Sequence, residues 1–242
     1  MKEKIYDDIE FYTAYSSMLR SEKGLLGAGE WHALKPLLPD FTNKSVLDLG
    51  CGFGWHCHYA VHMGAKYVVG VDESEKMLRK AEVINSDPRI NYRQESIESS
   101  HFDSDTFDVV MSSLVFHYLA DYATIVDRIY NWLKQNGMLV FTVEHPVFTS
   151  HGSQDWIYNE DGEISHFPID NYYYEGLRET QFLRKSVIKY HRTVVTYIQT
   201  LIDKGFTIKH VVEPKPDLNL IETEGMKDEM RRPMMFIITA QK

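Results

Sequence analysis

A doubly wound α/β sheet is the fold class this chain predicts, and three observations predict it. Compact apolar runs of strand length alternate with stretches whose apolar residues recur at helical spacing. A glycine-rich turn, Gly50, Gly52 and Gly54, follows the first of those runs directly. The 242 residues suffice for one substantial core, and 43% hydrophobic against 25% charged residues is the balance of a folded chain rather than a disordered one.

In chain order, residues 7–20 set Phe11, Tyr15, Met18 and Leu19 on one face, which predicts an amphipathic N-terminal helix. A connector from Gly24 to Gly29 leads to a short helix carrying Trp31, Leu34 and Leu38. Strand-like runs follow at 45–49, 67–71, 90–94, 107–112, 138–143, 206–212 and 234–240. Between them, Met77, Leu78, Ala81 and Ile84 form a helical stripe after a Ser74 cap. Tyr122, Ile125, Val126, Ile129 and Leu133 form another from Asp121 to just before Asn136-Gly137. Val194, Val195, Ile198 and Leu201 form a third, which Gly205 stops. Right-handed crossovers connect such strands, while their order across the sheet cannot be read from periodicity.

One stretch breaks the alternation. Residues 145–190 are rich in aromatic and turn residues, including Trp156, Tyr158, Phe167 and Tyr172-Tyr173-Tyr174, and connections this long inside a domain are commonly functional lids. The expected organisation is one domain over 1–242: a helical cap (1–40), a binding core (41–144), a lid or acceptor insertion (145–190) and the remainder of the sheet (191–242).

Composition excludes several classes. No window offers the roughly 18 to 20 consecutive apolar residues of a membrane helix, and MKEKIYDDIEFY lacks the apolar stretch of a secretory signal. A cytoplasmic location is expected, with Cys51 and Cys57 as reduced thiols. A formal net charge of −9, with only short basic clusters such as Arg231-Arg232, argues against a nucleic-acid partner. Nothing in the pattern specifies an oligomeric state.

Gly50, Gly52 and Gly54 let the backbone turn tightly after the first strand and approach a ligand, with the free N–H groups of the next helix aimed at it. Asp48, two residues upstream, suits an ammonium group and would repel a pyrophosphate. Trp55 stands where a dinucleotide fingerprint wants glycine or alanine. Asp72 ends the second strand about 20 residues beyond the glycines, where a carboxylate accepts both hydroxyls of a ribose.

The stretches VLDLGCGFGWHCHYA, GAKYVVGVDESEKMLRKA and FDVVMSSLVFHYL resemble the successive motifs of the class I S-adenosylmethionine (SAM) dependent methyltransferases, in particular the group loosely related to ubiquinone/menaquinone C-methyltransferases. The resemblance is strong over roughly 45–145 and in outline elsewhere. It implies a Rossmann-like, seven-stranded, mostly parallel sheet whose last strand is antiparallel, with an N-terminal helical cap and an insertion after the fifth strand. It also implies SAM as cofactor. Asp48, Gly50, Gly52 and Gly54 would hold its methionine moiety and Asp72 its ribose, with Cys51, Glu73 and Ser112 also among the cofactor-binding residues. In Glu95-Ser96-Ile97-Glu98, the adenine stretch, Ser96 stands where an aspartate often does, which leaves the backbone at Ile97 as the contact. The implied reaction is in-line methyl transfer to a small organic molecule, giving S-adenosylhomocysteine. A SAM-binding regulator without chemistry and an NAD(P)-dependent oxidoreductase are the competing readings.

After the fourth strand, Ser112-Ser113-Leu114-Val115-Phe116-His117-Tyr118 lacks the Asn/Asp-Pro-Pro-Tyr/Phe signature that DNA and glutamine amino-methyltransferases usually carry. His117 stands where related small-molecule enzymes often have a histidine, and an imidazole suits a general base. His145, after the fifth strand, is a second candidate and His191 a weaker third. Arg192 beside it is expected as a solvated charge. His58 and His62 share a helix face, but no carboxylate completes a ligand set, so no metal site is assigned. The tyrosines at 172–174 could stack on a planar acceptor.

Overall fold

The computed structural model describes residues 5–219, 221–223 and 225–242. Helices α1 (Ile9–Ser16), α2 (Leu19–Glu22) and α3 (Trp31–Leu34) precede strand β1 (Ser45–Leu49). Then come α4 (Trp55–His62), β2 (Tyr67–Asp72), α5 (Glu75–Ile84), β3 (Ile90–Gln94), β4 (Phe107–Ser113), α6 (Tyr122–Trp132) and β5 (Leu133–Glu144). After a short α7 (Pro146–Thr149) stand two hairpins, β6 (Ile157–Tyr158) with β7 (Ile164–His166), and β8 (Gly176–Phe182) with β9 (Lys185–His191). Helix α8 (Val194–Lys204), β10 (Thr207–Val212), α9 (Met226–Glu229) and β11 (Met235–Gln241) complete the chain.

The main sheet has seven strands in the order β10-β11-β5-β4-β1-β2-β3, and β11 runs antiparallel to both its neighbours. The doubly wound, mostly parallel sheet with an antiparallel last strand is therefore the observed architecture. All five residues of β1 are buried because helices cover both faces. Val46 packs with α4 and α5, while Leu47 and Leu49 pack with α6 and α8 on the other face. Each such buried side chain contributes about 1.5–3 kcal/mol. No helix among the described residues is long and apolar enough to cross a membrane.

Three elements differ from the sequence expectation. The helix expected over 7–20 is two, because Met18 is extended (ψ 147°) and Thr13, Ser16 and Ser17 turn their hydroxyls onto the carbonyls four residues back. The helix expected to reach Leu133 stops at Trp132, since Leu133 pairs with Phe107 and opens β5. The insertion is not irregular but holds two hairpins. The second turns through Leu183 and Arg184, both at positive φ (51° and 65°) although neither is a residue that favours it.

Candidate active site

The turn after β1 is held by its own backbone. The N–H groups of Gly50 and Cys51 donate to the carbonyl of Val71 (2.8 and 2.9 Å), and Gly54 N–H donates to Cys51 (2.8 Å). Gly50 and Gly54 both have φ of +74°, a left-handed conformation that glycine adopts at no steric cost. A β-carbon at Gly50 would collide with Val115, and one at Gly54 with the Tyr92 hydroxyl, so internal packing requires these glycines.

Asp72, at the end of β2, fastens the turn to the next helix. One carboxylate oxygen accepts from Gly52 N–H and the other from Ser74 N–H, both at 2.9 Å. Burial pushes this carboxyl up to about 6 against the pull of those two hydrogen bonds. Asp48 is more isolated. It is buried with the Cys57 thiol as its donor (3.3 Å), and burial first, with the charge of Asp72 adding, raises it to about 7. Ser112 is buried and donates to the carbonyl of Leu49 (2.8 Å), which ties the end of β4 to β1. Cys51 is a buried thiol pushed up to about 11 by burial, and Glu73 is exposed at the rim. The Ser96 hydroxyl accepts from Ser99 N–H (3.2 Å), while the Ile97 side chain is buried in the core.

The N-terminal segment crosses above this edge. Asp7 accepts from the hydroxyl of Ser74 (2.6 Å), the residue whose N–H Asp72 holds, and from Lys76 N–H (3.2 Å). The Tyr6 hydroxyl donates to that of Tyr118 (3.3 Å), and the Tyr6 ring meets Phe11, Tyr15 and Tyr118 edge-on. Arg20 pairs with one oxygen of the buried Glu30 at 2.6 Å; the other oxygen of Glu30 and the buried indole N–H of Trp55 have no hydrogen-bond partner among the described residues.

Across from the turn lies a buried polar cluster. Glu144, the last residue of β5, takes Lys189 Nζ at 2.5 Å and Gln154 Nε2 at 2.6 Å, and Lys189 also donates to Gln154 (2.8 Å). Burial would raise the Glu144 carboxyl, but His117, Lys189 and Gln154 together hold it below the usual range. His117 is buried, and its Nδ1 accepts the Glu144 N–H (3.3 Å), which leaves the proton on Nε2, 4.0 Å from the Glu144 carboxylate. Burial, against the pull of that carboxylate, pushes the imidazole down to about 4. His145 caps α7, with Nδ1 accepting Val147 N–H (3.0 Å) and Nε2 at 2.9 Å from Glu213.

Each histidine, expected as a general base, thus has its Nδ1 lone pair occupied by a backbone N–H and its Nε2 facing a glutamate. His191 is engaged likewise, by Thr149 (2.7 Å) and the Tyr172 carbonyl (2.9 Å). Arg192 is not a solvated charge. It is buried and donates to the carbonyls of Phe116 (3.3 Å), Ala120 (2.9 Å) and Leu119, which staples the hairpin's end to the segment after β4. Of the expected tyrosines, Tyr173 and Tyr174 are exposed and Tyr172 packs on His191. Lys189, Gln154, Arg20, Glu30 and Asp7 were not anticipated from sequence.

A parallel sheet with a glycine turn and an acid at the ends of adjacent strands defines a nucleoside-cofactor enzyme of the doubly wound class. Comparison with known proteins makes the class specific. A methyltransferase domain family matches residues 47–141. A solved Listeria monocytogenes chain, assigned to the S-adenosylmethionine dependent methyltransferases, is 51% identical, with a TM-score of 0.87 over 90% of this chain and 99% of that one. An S-adenosylmethionine dependent methyltransferase from Mesorhizobium loti is 40% identical, with a TM-score of 0.84 over 90% of this chain and all of its own. A Haemophilus influenzae protein of undescribed function is 32% identical over 100% of this chain and 98% of its own. Shorter matches reach a malonyl-[acyl-carrier protein] O-methyltransferase of Halalkalibacterium halodurans (43% of this chain, 40% of that protein) and a tRNA U34 carboxymethyltransferase of Pseudoalteromonas atlantica (46% and 35%). The chain belongs to the class I SAM-dependent methyltransferases. It is an enzyme whose cofactor is S-adenosyl-L-methionine, and the oxidoreductase and regulator readings are set aside.

Proposed function

We propose that this methyltransferase acts on a small organic molecule enclosed beneath the N-terminal cap and the 145–190 insertion. The observation that carries the reading is the closure of these two segments on one another. Phe11 meets Phe182 edge-on, and Lys185 at the hairpin's turn reaches Asp8 (3.5 Å) and Glu10 (2.7 Å). Beneath them, Tyr118, His117 and Glu144 sit at the carboxyl ends of β4 and β5. A macromolecular acceptor would have to displace that roof, and the net charge of −9 offers a polyanion no general attraction.

On this reading the Asp48 carboxylate receives the cofactor's ammonium directly or through water, and Gly50, Cys51, Gly52 and Gly54 let the chain approach the methionine moiety. Asp72 accepts from the ribose hydroxyls on lone pairs its two backbone donors leave free, with Glu73 at the rim. Ser96 and the Ile97 backbone border the adenine, and Ser112 borders the sulfonium end. These groups fit the cofactor on the structure's own terms: Asp48 is a buried carboxyl with only a thiol as donor, so an arriving cation repairs its desolvation.

Bound SAM supplies a sulfonium-activated methyl group. The chain contributes alignment and exclusion of water, which carry the rate of an in-line displacement. His117 and His145 are positioning residues: His117 fixes Glu144 from below, and His145 fixes the turn that follows it. Incubation with methyl-labelled SAM and a cell extract split by dialysis tests the assignment. Label in the dialysable fraction is expected, and label confined to the retained tRNA or protein would overturn it.

A further inference from the structure

The register of the sheet builds a closed cell around Asp48. Asp48 of β1 stands opposite Gly70 of β2, and Gly70 opposite Tyr92 of β3, so all three share the face that α4 covers. Gly70 makes the room in this cell. A β-carbon on it would lie 2.9 Å from the Cys57 sulfur, 2.9 Å from the Tyr92 ring and 3.0 Å from the Cys51 sulfur. The slot it leaves holds both of the chain's cysteines, each buried as a free thiol.

Asp48 itself is 1% exposed, and its sole hydrogen-bond donor among the described residues is the Cys57 thiol, 3.3 Å from Oδ2. The ionisable groups that face it are Asp72 from the end of β2, Cys51 from the glycine turn, Cys57 from α4 and Tyr92 from β3. None brings a positive charge, and its β4 neighbour is the apolar Met111. Burial, ahead of the contacts with Cys51 and Asp48, pushes the Cys57 thiol well above its ordinary range, so it keeps its proton and donates. A thiol is a weak donor, and a buried carboxylate served by one weak donor stays short of the stabilisation that a cation supplies. We propose that Cys57 is the positioning residue of the cofactor's ammonium subsite: its thiol orients the Asp48 carboxylate and, as its sole donor, sets how readily the ionised form is available to the ligand. The proposal rests on the assignment of Asp48 to the ammonium group and adds the residue that governs it.

Calorimetric titration of the full-length protein with S-adenosylhomocysteine, at intervals from about pH 5.5 to about pH 8.5, reads the pH midpoint of binding, expected near 7 for the wild type. Cys57→Ala removes the donor and should move that midpoint up by about one pH unit, the size of a net hydrogen bond. Affinity near pH 6 then falls roughly tenfold, and the difference fades towards the alkaline end. Titration of Asp72 and of the ligand's own amino group is common to both proteins and cancels in the ratio. Cys57→Ser keeps a donor, so it should recover roughly half of the shift or more. A side chain that only filled space would weaken binding by one factor at every pH and would not separate serine from alanine.

A Cys57→Ala midpoint that stays with the wild type, a loss of affinity that is equal at every pH, or a serine variant that matches alanine would overturn the proposal and leave the ammonium assignment standing. A wild-type affinity that is level with pH would remove the assignment and the proposal together. Infrared spectra of the unliganded wild type keep the test decisive if the variants do not fold. Ionisation of Asp48 strengthens the hydrogen bond it accepts, so the S–H stretching band of Cys57 should move to lower frequency as pH rises through about 7. In Asp48→Asn the thiol bands should stay still. Wild-type bands that do not move, or bands that move equally in Asp48→Asn, would overturn the role of Cys57.

Discussion

Lowering the pH from about 8 to about 6 titrates Asp48, whose carboxyl burial raises to about 7. Only the ionised carboxylate attracts an ammonium, so apparent cofactor affinity scales with the ionised fraction. For a group titrating at about 7, that fraction falls from about 0.9 to about 0.1, so affinity drops roughly ninefold, or about 1.3 kcal/mol. Asp72, at about 6, adds at most a factor of about two over the same interval. Calorimetric titration with S-adenosylhomocysteine at constant ionic strength measures this, with Asp48→Asn as the control. The variant should bind roughly tenfold more weakly near pH 8 and show only the shallow slope left by Asp72. A wild-type affinity that is level across the interval, or a variant with the wild-type slope, would refute the ammonium assignment. The unliganded protein should respond with the opposite sign. A carboxyl whose native value exceeds its unfolded value of about 3.9 takes up its proton first in the native state. Stability therefore rises as pH falls through about 7 and stops rising near 4. Near pH 8 the buried charge costs on the order of 4 kcal/mol, so Asp48→Asn should raise the unliganded melting temperature there while it weakens binding.

Four further outcomes follow from the same geometry. Gly54→Ala places a β-carbon into the Tyr92 hydroxyl in a left-handed backbone, and urea unfolding should show a loss of about 2 kcal/mol or more, with cofactor affinity reduced in parallel. Arg192→Met leaves the carbonyls of Phe116, Leu119 and Ala120 without their buried donor and should cost about 3 kcal/mol, read by the same method. Lys189→Met leaves Glu144 without its cation and should cost about 3–5 kcal/mol, while raising the pH at which activity falls on the acid side. His117→Asn should retain the wild-type shape of the pH–rate profile between about pH 6 and 9, because the imidazole is neutral throughout that range; disappearance of a limb there would restore the histidine as a base.

The strands, the glycine turn and Asp72 were legible because their causes are local. Gly50 and Gly54 are read from adjacency to an apolar run, and the Ser74 and Asp121 caps from a residue type followed by a stripe. The β8–β9 hairpin was illegible for the same reason. Its turn residues, Leu183 and Arg184, carry no turn signal, and its strands alternate mostly polar residues whose inward face shows only once a roof exists. Lys189 shares that inward face with Val187 and His191, and its partner Glu144 is 45 residues away. Arg192 reads as a charge at a helix start until the carbonyls it serves, more than 70 residues upstream, are folded against it. The proposed cofactor side was thus written in contiguous motifs. The proposed acceptor side is assembled from the cap, the ends of β4 and β5 and the insertion, and no window of sequence contains it.

Physical continuity between the two sides explains why one short N-terminal segment matters to both. On the proposed assignment, Asp72 faces the ribose, and its Ser74 contact sits one hydrogen bond from Asp7. Tyr6, next to Asp7, bonds Tyr118 on the acceptor side, and Asp8, on its other flank, meets Lys185 of the insertion. On the floor, Val115 packs against the space a side chain at Gly50 would need, so the glycine turn and the segment bearing His117 cannot shift independently. A ligand that orders the turn and Ser74 therefore also holds in place the groups that anchor Asp7, and with them the roof. The stabilisation passed to the roof is bounded by the ligand's preference for the closed arrangement over the open one. Cofactor first and acceptor second is the binding order this connectivity favours, since the acceptor's enclosure is completed by residues that the cofactor's own contacts hold in place.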